Sequence, residues 1–226
     1  MKRYLGGTDM GGASGWPLFL FVAPLLGIMG SHGNAAPLPS PQTKGDTSLE
    51  ESMAARRSAR SFTDEPLSRQ QIGQLCWAAQ GITDPGSRLR AAPSAGATYP
   101  LELYVATAEG VHRYDPEAHA LEPHLEEDVR PALHRAALYQ DAVEQAPAVF
   151  IIAADISRTA ARYGERAKRY VLMEAGHVGQ NLLLQAVALD LVGVPIGAFQ
   201  DDAVDSAINV PEGQQTFYLL PIGHAP

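Results

Sequence analysis

The chain has 226 residues, a formal net charge of −8 and an apolar content of 46%. This is the composition of a globular protein, and the acidic balance excludes a general nucleic-acid binder, which presents a basic face. The lone cysteine, Cys76, excludes an internal disulfide, and no paired-Cys or His-Glu-x-x-His spacing offers a metal site.

Residues 1–35 carry the features of a secretory signal peptide. Lys2 and Arg3 give a positive start, Trp16 to Gly30 is an uncharged apolar run, and Gly33-Asn34-Ala35 puts small residues where a signal peptidase reads. Lys2-Arg3-Tyr4-Leu5 resembles a twin-arginine export signal with Lys in the first place. The apolar run contains Pro17 and Pro24 and is short for a bilayer, so a cleaved leader and a periplasmic product are expected, with no stable span in the mature protein. Residues 36–47, with Pro37, Pro39 and Pro41, read as a linker, and 48–226 as one domain.

In that domain, Ser48 to Arg57 predicts a short helix capped by Thr47 or Ser48. A second helix spans Arg69 to Gln80, with Ile72, Leu75, Cys76 and Ala79 on one face and Gly81 at its end. Cys76 there reads as a buried core thiol, since no base partner is visible for a nucleophile. A turn at Asp84-Pro85-Gly86-Ser87 and a loop to Pro100 precede a strand at Leu101 to Thr107. Val111–Tyr114 and Ala120–Pro123 form a hairpin, and Val129 to Leu138 a helix. Ala148 to Ala153 is apolar throughout, as in a strand buried on both faces. Tyr163 to Leu189 predicts the longest helix, apolar nearly all round. Leu191 to Pro195 is extended, Asp201 to Ile208 helical, and Thr216 to Ile222 a last strand. The mix is α+β.

Four stretches carry candidate chemistry. In Arg56-Arg57-Ser58-Ala59-Arg60, Arg56 and Arg60 would share a face if the helix continued, and two guanidinium forks with a hydroxyl suit a phosphate. A solvated basic patch at a helix C-terminus is the other reading. Pro93-Ser94-Ala95-Gly96-Ala97-Thr98-Tyr99-Pro100 is a lightly clothed loop that either lets a flat ligand approach the backbone or is a rigid turn. Gly193-Val194-Pro195-Ile196-Gly197 either aims backbone N–H groups at a ligand or simply connects helix to strand, with Gly193 turning the chain at the helix end. His224, two residues from the terminus, either reaches a phosphate or frays. His177, inside the long helix, reads as a structural histidine before a catalytic acid.

In this order, RRSARSF, PSAGATYPLELYV, RYGERAKRYVLMEAGHVGQNLLLQAVALDL, VPIGAF and YLLPIG closely resemble the FMN-dependent nitroreductase family, in particular its SagB/ThcOx-type dehydrogenases. The resemblance covers Ser48 to His224. It implies a central, mostly antiparallel sheet wrapped by helices, and an intertwined homodimer with two flavins at the subunit interface. It implies that Arg56, Ser58 and Arg60, with Arg57 adjacent, hold the FMN phosphate and ribityl chain. By the same resemblance Ser94, Ala95 and Gly96 lie along the flavin, and Pro195, Ile196 and Gly197 give backbone contacts near N5 and O4. His224 stands where relatives place Arg or Lys. The implied activity is ping-pong hydride transfer from NAD(P)H through the flavin to a nitroaromatic or quinone. Two alternatives are a dehydrogenase acting on a peptide or partner-derived substrate, and a catalytically silent flavin-binding dimer. Azoline-oxidising relatives use a Lys-Tyr pair, whose counterpart here is Arg162-Tyr163, without the Lys.

Overall fold

The computed structural model describes residues 35–226. The leader expected over 1–35 lies outside the described residues apart from Ala35.

The first described residues belong to the fold. Strand β1 (Ala36–Pro37) adds to the sheet edge, Leu38 is buried, and Gln42 exchanges two hydrogen bonds with Gln74. The segment read as a linker therefore begins as a packed strap. Helix α1 (Leu49–Ala55) starts at a capping box in which Ser48 and Glu51 satisfy each other's backbone N–H. Helix α2 (Arg69–Gln80) has the same device from Ser68 and Gln71. Strands β2 (Ile82–Asp84) and β3 (Leu89–Arg90) form a small hairpin around the predicted Asp84 turn.

The main sheet continues through β4 (Leu101–Thr107), β5 (Gly110–Asp115) and β6 (Ala120–Leu125). Helices α3 (Arg130–Ala136) and α4 (Asp141–Gln145) follow, then β7 (Ala148–Asp155). The long helix predicted from Tyr163 starts four residues later, and a shorter helix that the sequence reading did not include precedes it. Helix α5 (Ile156–Tyr163) stops at Gly164, whose φ of +54° leaves the helical region, and α6 (Ala167–Ala188) begins after one tight turn. The chain ends through β8 (Val192–Gly193), α7 (Asp201–Ala207) and β9 (Gln214–Gly223). The strand order is β1-β6-β5-β4-β7-β9-β8, antiparallel at every step.

Strand β7 explains its own sequence. Ala148, Phe150, Ile152 and Ala154 point into a core shared with α2 and α6, while Val149, Ile151 and Ala153 point into a second core beneath α3, α4 and α7. A strand covered on both faces has no solvent side to mark with polar residues. Cys76 sits fully buried in the first core, and burial pushes its thiol far above the usual range, which leaves it inert.

The turn after α6 is made by Asp190 (φ +57°), not by Gly193 as the sequence suggested. Gly193 is glycine for a different reason: a Cβ there would lie 2.9 Å from the Pro221 carbonyl oxygen and 3.0 Å from Ile222. Gly193→Ala is therefore expected to push β8 off β9 and to cost about 1–3 kcal/mol in chemical denaturation.

Candidate active site

The α1 helix does not run on through the basic cluster. Arg56 leaves it at φ −54°, ψ 120°. Ser58 then pairs with Gly193 in the parallel sense, and the Ala59 N–H donates to the Gly193 carbonyl at 3.1 Å. Alternate residues of extended chain share a side, so Arg56, Ser58 and Arg60 line up through the strand period of two instead of the helical period of four. Arg57 falls on the opposite side. Its guanidinium donates to the carbonyls of Ala54 (3.0 Å) and Arg56 (2.7 Å), where it satisfies orphan acceptors at the helix end.

The same pairing brings the third motif alongside. From Gly193 the chain runs through Pro195 to Ile196, whose N–H donates to Leu219 at 2.8 Å and whose carbonyl accepts from Leu219 at 3.0 Å. The Ile196 N–H is thus committed to the sheet and cannot serve a ligand, which corrects the expectation that it would. The next residue, Gly197, is exposed, and the nearest atom to a Cβ there is Tyr218 Cε2 at 3.9 Å. A cavity of about 340 Å³ opens between Arg60, Ser61, Gln140, Asp141, Gln145 and Ile196. His224 joins through its backbone: its carbonyl accepts from the Thr63 N–H at 3.0 Å, while its ring faces the Glu65 carboxylate at 3.9 Å.

The fourth stretch is elsewhere. Ser94–Gly96 precedes β4, and the Pro100 carbonyl accepts from the Asp155 N–H at the C-terminal end of β7. Ser58, Gly193 and His224 gather around Ile222, which is paired with Ala148 at the other end. Eight residues of β7 separate the two ends, roughly 23 Å of strand rise. One chain assembles the Arg56–Arg60 segment with Ile196, Gly197 and His224, and leaves Ser94, Ala95 and Gly96 apart from them.

The loop is nonetheless tightly built. Gly96, Ala97 and Tyr99 have φ of +61°, +52° and +43°, a strained run for the latter two. The surroundings hold it in place. Ser94 Oγ accepts from the Tyr99 N–H (2.9 Å), the Thr98 and Thr159 hydroxyls pair (2.8 Å), and Arg162 donates to the Gly96 carbonyl (3.3 Å). The Arg90 guanidinium stacks 4.4 Å from the Tyr99 ring centroid and donates to Gln80. Below the loop lies Glu174 of α6, which sequence reasoning passed over. It is 3% exposed, its Oε1 is buried without a hydrogen-bond partner, and burial pushes its carboxyl up to about 7. The available signal was a carboxylate on the same helical stripe as Val171, Ala175 and Val178.

These motifs, in this order on this sheet, are matched by the profile of the nitroreductase family over residues 53–224. The chain belongs to the nitroreductase family. It is 41% identical over 181 residues to a provisionally named nitroreductase of Methanocaldococcus jannaschii, covering 77% of this chain and 90% of that relative. Its fold is similar to a crystal structure of a provisionally named nitroreductase from Ralstonia eutropha, with a TM-score of 0.78, 28% identity, and 85% and 90% of the two chains covered. It is also similar, at 24% identity and a TM-score of 0.58 over 78% of this chain and 68% of the other, to the NADPH:FMN oxidoreductase of Vibrio harveyi solved with NAD+. Membership places the chain among flavin-type oxidoreductases, with the α+β, mostly antiparallel architecture expected of them. Among the described residues no helix is long and apolar enough to cross a membrane, and no group of three His, Cys, Asp or Glu is placed to hold a metal.

Proposed function

We propose that this nitroreductase-family chain binds FMN and moves hydride from NAD(P)H to a small electrophilic acceptor such as a nitroaromatic or quinone. The observation that carries this reading is the alignment of Arg56, Ser58 and Arg60 on one side of a segment hydrogen-bonded to the strand that leads into Gly197. The donor set fits the group. Two guanidinium forks and a hydroxyl match a phosphate's acceptor oxygens, and Gly197 presents backbone with no side chain in the way.

In this reading Arg56 and Arg60 fix the phosphate, and Ser58 donates to it or to the ribityl chain. Gly197, not Ile196, offers its N–H toward N5 and O4. When bound, FMN supplies hydride acceptance and release at N5, and the protein supplies binding and orientation. Gly197→Ala is expected to keep the unliganded protein within about 0.5 kcal/mol of wild type, since its Cβ has room, and to weaken FMN binding. Equilibrium denaturation and flavin titration separate the two effects.

The site is completed by a second copy of the chain. The loop at Ser94–Gly96 sits too far along β7 to reach a ligand on Arg60 of its own chain. In addition, α6 exposes Leu172 and Met173 beside Gly176 and His177, and the adjoining α1 exposes Leu49 and Met53. Half-exposed apolar side chains on two packed helices suit burial against an identical face. His177 belongs to this face.

A second reading, in which the acceptor is a peptide or a partner's product, rests on the SagB/ThcOx-type resemblance: Tyr163 lies beside Gly96, while Arg162 stands where the azoline-oxidising relatives carry Lys, which counts against azoline oxidation. The leader's composition supports export. Incubation with FMN followed by dialysis should leave a yellow protein that NADPH bleaches without oxygen. A colourless protein would refute the flavin reading, and colour that only a peptide substrate changes would favour the second one.

A further inference from the structure

We propose that Arg166 and Arg169 clasp the 2′-phosphate of the hydride donor, with Tyr163 and Tyr170 against its adenosine, so that the donor is NADPH and not NADH. This deepens the donor class of the flavin reading above and rests on it.

The two charges are out of keeping with their surroundings. The chain carries a net charge of −8. Arg166 and Arg169 are exposed, and among the described residues no carboxylate pairs with either. Arg166 is the N-cap of α6 and already has helical backbone angles. Arg169, three residues on, therefore leaves the same face, with the two Cβ atoms about 5–6 Å apart. Like charges at that spacing repel. They also sit at the helix end whose dipole disfavours cations, and no acidic residue in the first turn of α6 offsets them. An anion held between the two guanidinium forks relieves the repulsion. A phosphate monoester suits them best, with close to two negative charges and three acceptor oxygens.

An aromatic surface adjoins the pair. Tyr170 follows Arg169 and stands four residues after Arg166, on the same side of the helix. Its ring meets that of Tyr163 edge to face, with centroids 5.0 Å apart, and both rings are half-buried. Such a pair offers a flat base an apolar contact. Arg162 ties this surface to the Gly96 loop. Its guanidinium lies 5.6 Å from the Tyr163 ring centroid and donates to the Gly96 carbonyl at 3.3 Å. An adenosine phosphate held here lies beside the loop that the flavin reading assigns to the cofactor. A nitroaromatic or quinone acceptor has no charge to match these arginines. NADPH has a monoester phosphate on its adenosine ribose, and NADH lacks it.

Calorimetric titration of the flavin-free full chain tests the clasp without turnover. Adenosine 2′,5′-bisphosphate should bind roughly tenfold or more tighter than adenosine 5′-monophosphate, and Arg166→Gln/Arg169→Gln should erase the difference. Equal affinity for the two nucleotides overturns the clasp. So does a difference that survives in that variant and disappears in Arg56→Ala/Arg60→Ala, which would send the phosphate to the other basic cluster. Tighter binding of an acidic peptide than of either nucleotide overturns it in favour of a protein partner. In the FMN-loaded protein, kcat/KM for NADPH should exceed that for NADH roughly tenfold or more, and the Arg166→Gln/Arg169→Gln variant should bring the two together by raising KM for NADPH. Parity of the two donors in the wild type overturns the donor assignment and leaves the flavin reading standing. A chain that discriminates the nucleotides as expected but takes up no FMN overturns the flavin reading, and the donor's role with it, while the phosphate clasp stands.

Discussion

Replacing Arg56 and Arg60 together with Ala is expected to raise the Kd for FMN about 10²- to 10⁴-fold, since each charge-assisted contact is worth about 1.5–3 kcal/mol. Quenching of flavin fluorescence on titration measures it. Arg57→Ala is the internal control. Its guanidinium closes the end of α1 on the other side of the segment, so its loss should cost about 0.5–1 kcal/mol of stability and change the Kd less than about threefold. A double variant that binds FMN as wild type does would remove the phosphate from this segment. Equal losses from Arg57→Ala would show that net positive charge, and not the alternation along extended backbone, attracts the cofactor. The affinity should also fall with added salt, because Arg60 is exposed.

Glu174→Gln is expected to stabilise the fold by roughly 3 kcal/mol near pH 8 and to change it little near pH 4. The sign follows from the direction of the shift. The folded state holds the Glu174 proton up to about pH 7, whereas an ordinary carboxyl releases it near 4.5. Stability from this group is complete below 4.5, is lost as pH rises toward 7, and is level above. Gln cannot ionise and escapes that loss. Urea denaturation of both proteins at the two pH values checks it, and a gain of equal size at both would rule out ionisation as the cause.

Local signals made much of the fold readable. The Ser68–Gln71 box and the Ile72/Leu75/Cys76/Ala79 face define α2 to the residue, and the unbroken apolar run of β7 announces two covered faces. Helix α5 was not readable because it buries only Thr159, and the long helix was started at Tyr163 because nothing in the apolar pattern marks the positive φ of Gly164 that ends α5 there. In the basic cluster, the grouping of Arg56, Ser58 and Arg60 rested on the premise of a continuing helix, which ends at Arg56. Positions i and i+4 share a side in both helix and strand, so the grouping survives the change of conformation while Arg57 drops out. The commitment of the Ile196 N–H and the distance of Ser94 from Arg60 depend on which strands pair across the sheet. Those are long-range facts that no stretch of the sequence carries by itself. Glu174 was overlooked because its significance lies in what surrounds it.

The length of β7 between the two motifs has a genetic consequence. In the proposed pairing of two copies each site would draw Arg60 from one chain and Ser94 from the other, so lesions in the two motifs would be complementing alleles. A population damaged only at Arg60 has no intact site, and neither has one damaged only at Ser94. A mixed pair, however, rebuilds one whole site from the undamaged half of each chain and gathers both lesions into the other.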